Sequence, residues 1–154
     1  MRVLVAPDGF TGTLTAPQAA RAVADGWLAA RPGDEVDLCP LSDGGPGFLD
    51  VLEAAAPGAR RVRVPVTGPL GEQLTTSLLV LDDGATAAVE SALACGTDLL
   101  PPGPVTDRDA LAATTAGVGH LLAAARTTGA RRVLVGLGGS ATTDGGAGAL
   151  AVLG

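Results

Sequence analysis

The chain has 154 residues, 47% of them hydrophobic, and a formal net charge of −6 with no lysine. A chain of this length and apolar content can bury a core, whereas its acidity and the absence of a basic cluster argue against nucleic acid or an anionic membrane as partner. One histidine and two widely separated cysteines make a structural zinc site unexpected and favour reduced thiols.

The first predicted elements are a strand and a helix. The strand begins at Arg2 and ends near Ala6, which leaves no room for a signal peptide, and no apolar run is long enough to cross a membrane. We therefore expect a cytoplasmic protein. The helix is predicted over 16–30, because Thr15 and Gln18 form a capping-box pattern in front of an apolar face with helical spacing.

Strand-like apolar runs then alternate with helical patterns, which is typical of an α/β fold with a mainly parallel sheet. The further predicted elements are a strand at 34–39, a helix at 47–56, a strand at 61–66, a hairpin of 73–81 with 85–89, a helix capped by Thr114 or Thr115, and a strand at 133–135. Turn-forming residues are concentrated at 67–71, and the sequence after them has the pattern of a β-hairpin. We predict a first α/β unit over 1–65 and part of a second α/β domain over 66–154.

A glycine-rich segment follows the last predicted strand, which we expect to be buried on both faces. Glycines allow the backbone to approach a ligand closely, and N–H groups at a strand-to-helix turn can bind an anion. The segment differs from the Walker motif. Its candidate phosphate-binding residues are Gly138, Gly139, Ser140 and Thr142, with Thr143 and Asp144 beside them.

Three other loops follow a predicted strand or begin a helix, where ligands bind in parallel sheets. They supply Asp8 and Thr11, then Asp43 with Gly44 and Gly45, and finally Thr115 with Gly117. Each loop alone is equally compatible with a polar turn capped by its own side chain. If Asp8, Asp43 and Asp144 meet at one sheet edge, they suit a divalent cation with phosphate oxygens, because adjacent carboxylates otherwise repel.

Glu90 follows an apolar strand and precedes small residues. It is a candidate for substrate or phosphate binding, and equally a first-turn helix acid that stabilises the helix N-terminus.

These segments together resemble the bacterial glycerate kinases in order and spacing over essentially the whole chain. The matching motifs are APDGFTGTLTA at 6–16, SDGGPG at 42–47, TGPLG at 67–71, VESALACGTDLLP at 89–101, TTAGVG at 114–119 and GLGGSATTDGGAG at 136–148. The most specific are GGSAT and the DGGAG that follows it.

The resemblance implies an enzyme of two α/β domains, the first Rossmann-like, that uses ATP and Mg²⁺ to phosphorylate D-glycerate in the cleft between them. It implies that Gly138, Gly139 and Ser140 hold phosphate. Asp8, Asp43 and Asp144 would then be catalytic, with Asp43 and Asp144 as metal ligands. The implied partners are a small carboxylate substrate and a nucleotide.

Several motif positions depart from the family pattern. Thr11 stands where the family has lysine, Pro46 where it has glutamate, Phe48 where it has threonine and Thr143 where it has asparagine. The chain is also less than half the family's usual length. Two hypotheses follow: the amino-terminal part of a glycerate kinase, completed by a partner chain or a homodimer, or a diverged stand-alone protein that acts on another small carboxylate or only binds ligands.

Overall fold

The structure, a computed structural model, describes residues 1–10, 12–104 and 106–154. It begins with a parallel βαβ unit, in which strand β1 (Arg2–Val5) pairs with strand β2 (Glu35–Leu38) across helix α1 (Ala16–Ala30). The predicted bounds of α1 are confirmed. Its capping box forms as predicted: the Gln18 N–H donates to Thr15 Oγ1 and the Thr15 N–H donates to Gln18 Oε1.

A four-stranded sheet follows, in the spatial order β3-β4-β5-β6. The first three strands are antiparallel, which confirms the predicted hairpin, whereas β5 and β6 are parallel and their connection carries four helical segments. The elements after β2 are α2 (Phe48–Ala55), β3 (Arg60–Thr67), β4 (Gln73–Val80), β5 (Thr86–Glu90), α3 (Ala92–Cys95), a 3-10 turn (Thr97–Leu99), α4 (Asp107–Ala112), α5 (Ala116–Thr127), β6 (Arg132–Gly136) and α6 (Ala147–Leu153). The α/β class is thus confirmed.

The core lies on both faces of this sheet. On one face, the alternating residues of the strands pack against α3 and α5 in a cluster that includes Val66, Leu78, Val89 and Leu121. On the other face, Leu79 and Ala88 pack against Leu49 of α2. Successive residues of a strand point to opposite faces, so both faces of β5 are covered and all five of its residues are buried.

The prediction that the Val133–Val135 strand is buried on both faces is wrong. Leu134 and Val135 are 37% and 38% exposed. Strand β6 lies at the edge of the sheet with β5 as its neighbour among the described strands, and of these three residues only Val133 packs against a described core cluster. An apolar run of three residues cannot by itself distinguish a central strand from an edge strand.

Strand β3, predicted to leave the first unit, pairs along its whole length with β4. Helix α2 likewise packs on the four-stranded sheet, and Arg61 of β3 donates to Asp50 and Glu53 of α2. The division into 1–65 and 66–154 stays a prediction. Among the described residues, no helix combines the length and apolarity needed to span a membrane.

Candidate functional site

Two loops meet in direct backbone contact at one end of the four-stranded sheet. We call residues 41–47, which lead into α2, the aspartate loop, and residues 137–144, which follow β6, the glycine loop. A Cβ atom at Gly138 would lie 2.6 Å from the Cα of Gly45, and one at Gly139 would lie 2.9 Å from Cδ of Pro46. The two backbones approach this closely only because glycine has no side chain.

Backbone hydrogen bonds hold the glycine loop at one carbonyl and one N–H group. The Thr97 N–H donates to the Gly139 carbonyl at 2.9 Å, and the Ala141 N–H donates to the Cys95 carbonyl at 2.8 Å. Within the described residues, the N–H groups of 138–140 have no protein acceptor. Gly139 has φ +65°, in the left-handed region that glycine adopts without strain.

Hydroxyl and thiol groups pack beside this loop. Ser140 Oγ lies 3.4 Å from Ser91 Oγ and accepts a weak hydrogen bond from the Cys95 thiol at 3.8 Å. Burial raises the pKa of that thiol, although the hydrogen bonds of Ser140 and Thr142 act in the opposite direction. A thiol with a raised pKa is a poor nucleophile at neutral pH. Cys95 and Cys39 are both free, as predicted.

Asp144 ends the glycine loop and joins it to the start of α5. Its Oδ2 accepts hydrogen bonds from the N–H and hydroxyl of Thr115, both at 2.8 Å, and from the Gly148 N–H at 3.0 Å, while its Oδ1 accepts from Gly146. Partial burial acts to raise the pKa of Asp144, but these hydrogen bonds outweigh it and lower the pKa to about 2. Asp144 is therefore ionised at any physiological pH.

An acidic cleft of about 400 Å³ opens between the start of α1 and the aspartate loop. Carboxylates line it from four separate segments, namely Asp8, Asp43, Asp50 and Asp98, and its described lining contains no arginine. Asp8 and Asp43 are thus brought to one cleft, as the sequence predicts, whereas Asp144 is not part of its lining. The ion pair with Arg61 offsets the charge of Asp50, and the negative charge that remains disfavours a bare anion and suits a cation.

Asp8 and Asp43 also bond to their own loops. Asp8 Oδ1 accepts from the Gly9 N–H at 2.6 Å, and Asp43 Oδ1 accepts from the Gly45 N–H at 2.8 Å. Both side chains belong to exposed residues, and in the described chain neither Oδ2 accepts a hydrogen bond. Each carboxylate therefore combines the loop-capping role expected of a polar turn with one oxygen that accepts no hydrogen bond in the described chain.

A second cavity, of about 280 Å³, shares Pro46 and Asp98 with the acidic cleft. Gly139 of the glycine loop and Glu90 at the end of β5 both line it. Burial raises the pKa of the Glu90 carboxyl, and hydrogen bonds from the backbone N–H groups of Leu49 and Gly47 oppose that shift. The glycine loop therefore borders the second cavity, which adjoins the acidic cleft at Pro46 and Asp98.

A family model described as the glycerate kinase family matches residues 3–154. The chain belongs to the glycerate kinase family. The motifs of the two loops and of the α5 start all fall within the matched range.

Several relatives of this family member match its whole length. It is 51% identical to an uncharacterised protein of Mycobacterium bovis, 42% identical to a glycerate kinase of Bacillus subtilis and 40% identical to a glycerate 2-kinase of Escherichia coli. The crystal structure of a candidate glycerate kinase 2 from Salmonella typhimurium LT2 superposes with a TM-score of 0.82 at 36% identity and covers all of this chain. This family member spans about 40% of the length of each of these relatives.

The remaining predicted site residues of this glycerate kinase family member have varied surroundings. Thr11 lies outside the described residues. Gly117 is buried, and a Cβ there would collide with the Thr67 carbonyl oxygen, which gives it a packing function. Thr115 is the N-cap residue of α5, yet its hydroxyl bonds to Asp144 and does not cap the helix.

Two cleft residues were missed by sequence reasoning. Asp50 lies in the first turn of α2 and Asp98 in the 3-10 turn, and both line the acidic cleft. An acid in a first helical turn is common for local electrostatic reasons, so the sequence carries no signal that separates these two from ordinary helix acids. Among the described residues, no group of three or more His, Cys, Asp or Glu side chains is arranged to hold a metal ion. The predicted metal ligands Asp43 and Asp144 stay predictions.

Proposed function

We propose that this chain forms the amino-terminal part of a D-glycerate kinase, which transfers a phosphoryl group from ATP to D-glycerate with the help of Mg²⁺. The observation that carries this function is the free run of N–H groups at 138–140 in direct contact with the aspartate loop. Family membership supports the same reaction class. Completion of the site by a partner chain or a second copy is part of the proposed function, as is a cytoplasmic location.

The glycine loop is suited to phosphate oxygens. Consecutive backbone N–H groups form a concave donor array that stabilises negative charge, and such an array needs no lysine side chain. Ser140 and Thr142 add hydroxyl groups on the same segment. Phosphoryl transfer depends mainly on positioning and on charges aimed at the transferring group, so a loop of N–H donors is the part this chain contributes most directly.

The acidic cleft is suited to Mg²⁺ with a nucleotide. Mg²⁺ is usually held by one or two carboxylates and otherwise by water and phosphate oxygens, which fits the Oδ2 atoms of Asp8 and Asp43 that accept no hydrogen bond in the described chain. When bound, the ion would neutralise phosphate charge. The described cleft lining contains no arginine or lysine side chain that could do so. Asp144, whose oxygens accept four hydrogen bonds, would act by holding the glycine loop.

Anion binding by the glycine loop is tested by titrating the protein with phosphate and with ATP while backbone amide NMR resonances are followed. We expect the amides of Gly138 and Gly139 to shift. Gly139→Asp should abolish these shifts, because it adds a like charge at the anion and its Cβ, 2.9 Å from Pro46 Cδ, pushes the two loops apart. Gly84→Asp controls for the added charge at a left-handed glycine: Gly84 has φ +62° in the hairpin turn and open space around it. Shifts confined to other residues would contradict anion binding by this loop.

Kinase activity is tested by coupling ADP release to D-glycerate. The 154-residue chain alone is expected to show little turnover, since it has no lysine and spans only about 40% of its relatives' length. Mixing it with a polypeptide equivalent to the remaining part of the Bacillus subtilis glycerate kinase is expected to restore activity toward the usual kinase range of about 1 s⁻¹ or more. Absence of turnover in the mixture, despite complex formation, would favour the diverged stand-alone protein.

A further inference from the structure

Glu90 is a buried carboxylate whose two oxygens are both engaged by one neighbouring segment. The residue is 3% exposed. Its Oε1 accepts from the Gly47 N–H at 3.0 Å and its Oε2 accepts from the Leu49 N–H at 3.1 Å. A carboxylate with both oxygens committed to backbone donors in this way is a poor candidate for direct substrate contact.

The segment that Glu90 binds is the junction between the aspartate loop and α2. The N-cap residue of α2 is Gly47, which has no side chain and makes no cap bond. The first N–H groups of a helix need acceptors from elsewhere. Glu90 is the acceptor for the N–H groups of Gly47 and Leu49, although it lies 43 and 41 residues away from them in sequence. The hydrogen bonds therefore join a strand end to a distant helix start.

The backbone at Glu90 pairs with the residue that precedes the glycine loop. In the parallel ladder Glu90 pairs with Gly136, and the N–H of the next residue, Ser91, donates to the Gly136 carbonyl at 3.0 Å. The glycine loop begins directly after Gly136. Glu90 thus lies between the two loops that contact each other at Gly45 and Gly138.

We propose that Glu90 is a positioning residue that holds the aspartate loop in register with the glycine loop through its paired hydrogen bonds to Gly47 and Leu49. Only a carboxylate accepts at both oxygens, since an amide has one acceptor oxygen and would present its own donor to the other N–H. This role rests on the proposed function in that the two loops together form the phosphate and metal site. Loss of the register would displace Asp43 relative to the free N–H groups of the glycine loop.

The test compares Glu90→Gln with wild type by amide hydrogen exchange and NMR on the full 154-residue chain. We expect the Gly47 and Leu49 amides to exchange about tenfold faster or more, because a charge-assisted hydrogen bond is lost. We also expect the Gly138 and Gly139 resonances to shift, although neither residue bonds to Glu90. Amides in the β3–β4 ladder should keep their protection. Glu53→Gln, the same change in a residue of α2 that pairs with Arg61, is the control and should leave the glycine-loop resonances in place.

Two results would overturn the positioning role. One is unchanged exchange at Gly47 and Leu49 in Glu90→Gln. The other is faster exchange there with unmoved Gly138 and Gly139 resonances, which would leave Glu90 a helix cap and nothing more. Failure of the wild-type chain to bind phosphate would contradict only the proposed function. It would leave the positioning role intact, because the amide exchange and the resonance shifts are both measured without ligand.

A wild-type measurement covers the case in which Glu90→Gln does not fold. The amide shifts of Gly47 and Leu49 are followed against pH, together with those of the glycine loop. The positioning role predicts one shared midpoint for both segments. The charges of Asp50 and Arg61 affect Glu90, Asp98 lines the same cavity, and Asp144 lies within the glycine loop. Asp50→Asn, Asp98→Asn and Asp144→Asn therefore identify any transition that belongs to those neighbours. Midpoints that differ between the two segments would contradict the coupling.

Discussion

At the residue scale, Asp144 shows how one carboxylate can connect a loop to two helix starts. Four hydrogen bonds surround its two oxygens, and three of the donors come from backbone N–H groups. They connect the glycine loop to the first turns of α5 and α6. The same bonds keep Asp144 charged, because a carboxylate that accepts several N–H donors takes up a proton only at low pH.

Asp144→Asn is expected to destabilise the fold in a pH-dependent manner. The folded pKa of about 2 lies below the ordinary value of 3.8. The stabilisation is therefore complete above about pH 4 and is lost as the pH falls toward 2. It amounts to roughly 1 kcal/mol, because solvent screens a partly exposed group.

Urea unfolding at a series of pH values from 7 to 2 measures this effect. Asp144→Asn should be less stable than wild type at pH 7, and the difference should shrink toward pH 2. Asp25→Asn, an exposed residue of α1, serves as the control and should behave as wild type. A stability difference that stays constant over the whole pH range would contradict the assigned pKa.

At the element scale, helix α1 is specified by its own sequence. Thr15 and Gln18 satisfy two N–H groups at its start, and Pro17 lies in its first turn. The buried residues Ala16, Ala19, Ala20 and Ala24 lie on one face. The acidic cleft is lined by this same helix start, so the cap also fixes one wall of the candidate site.

Thr15→Ala is expected to destabilise the protein by about 0.5–2 kcal/mol, since it removes the N-cap hydroxyl acceptor. Thr15→Ser keeps that acceptor and should retain most of the stability. Thermal unfolding followed by circular dichroism distinguishes the two variants. Equal thermal unfolding midpoints for Thr15→Ala and Thr15→Ser would show that the cap contributes nothing measurable to stability.

At the scale of the whole molecule, apolar side chains remain at the surface of the described chain. Leu4 of β1 is 66% exposed and Leu137 of the glycine loop 74%. Leu134 and Val135 of β6 lie at a sheet edge, and an open edge with apolar residues is a template for pairing with another chain. Contiguous exposed apolar surface usually marks an interface.

The 154-residue chain is therefore expected to associate in solution, most simply as a homodimer. Light scattering at micromolar concentration should give a mass above 15.0 kDa. Leu134→Arg should weaken the association because it places a charge at the open edge, whereas Leu111→Arg, on α4, should not. A monomeric mass for wild type over the whole concentration range would contradict the expectation.

Local chemistry made part of this structure predictable. The capping box, the helical spacing that follows it and the turn at Asp82–Gly84 act over a few residues, so α1 and the hairpin could be read from the chain directly. The clustering of glycines, hydroxyls and acids in particular loops was visible in the same way. These features depend on neighbouring residues alone.

Tertiary structure decided how those loops are used. Glu90 bonds to amides 41 and 43 residues away, and Asp144 bonds to Thr115, 29 residues away. The edge position of β6 likewise depends on which strands pair. A sequence records which residues can donate, accept or be buried, but only chain folding selects their partners, because hydrogen bonding and burial are satisfied by proximity in space. The sequence alone therefore determined α1, the hairpin and the candidate loops, and the packing of distant segments determined which carboxylates hydrogen-bond to the loops and which line the acidic cleft.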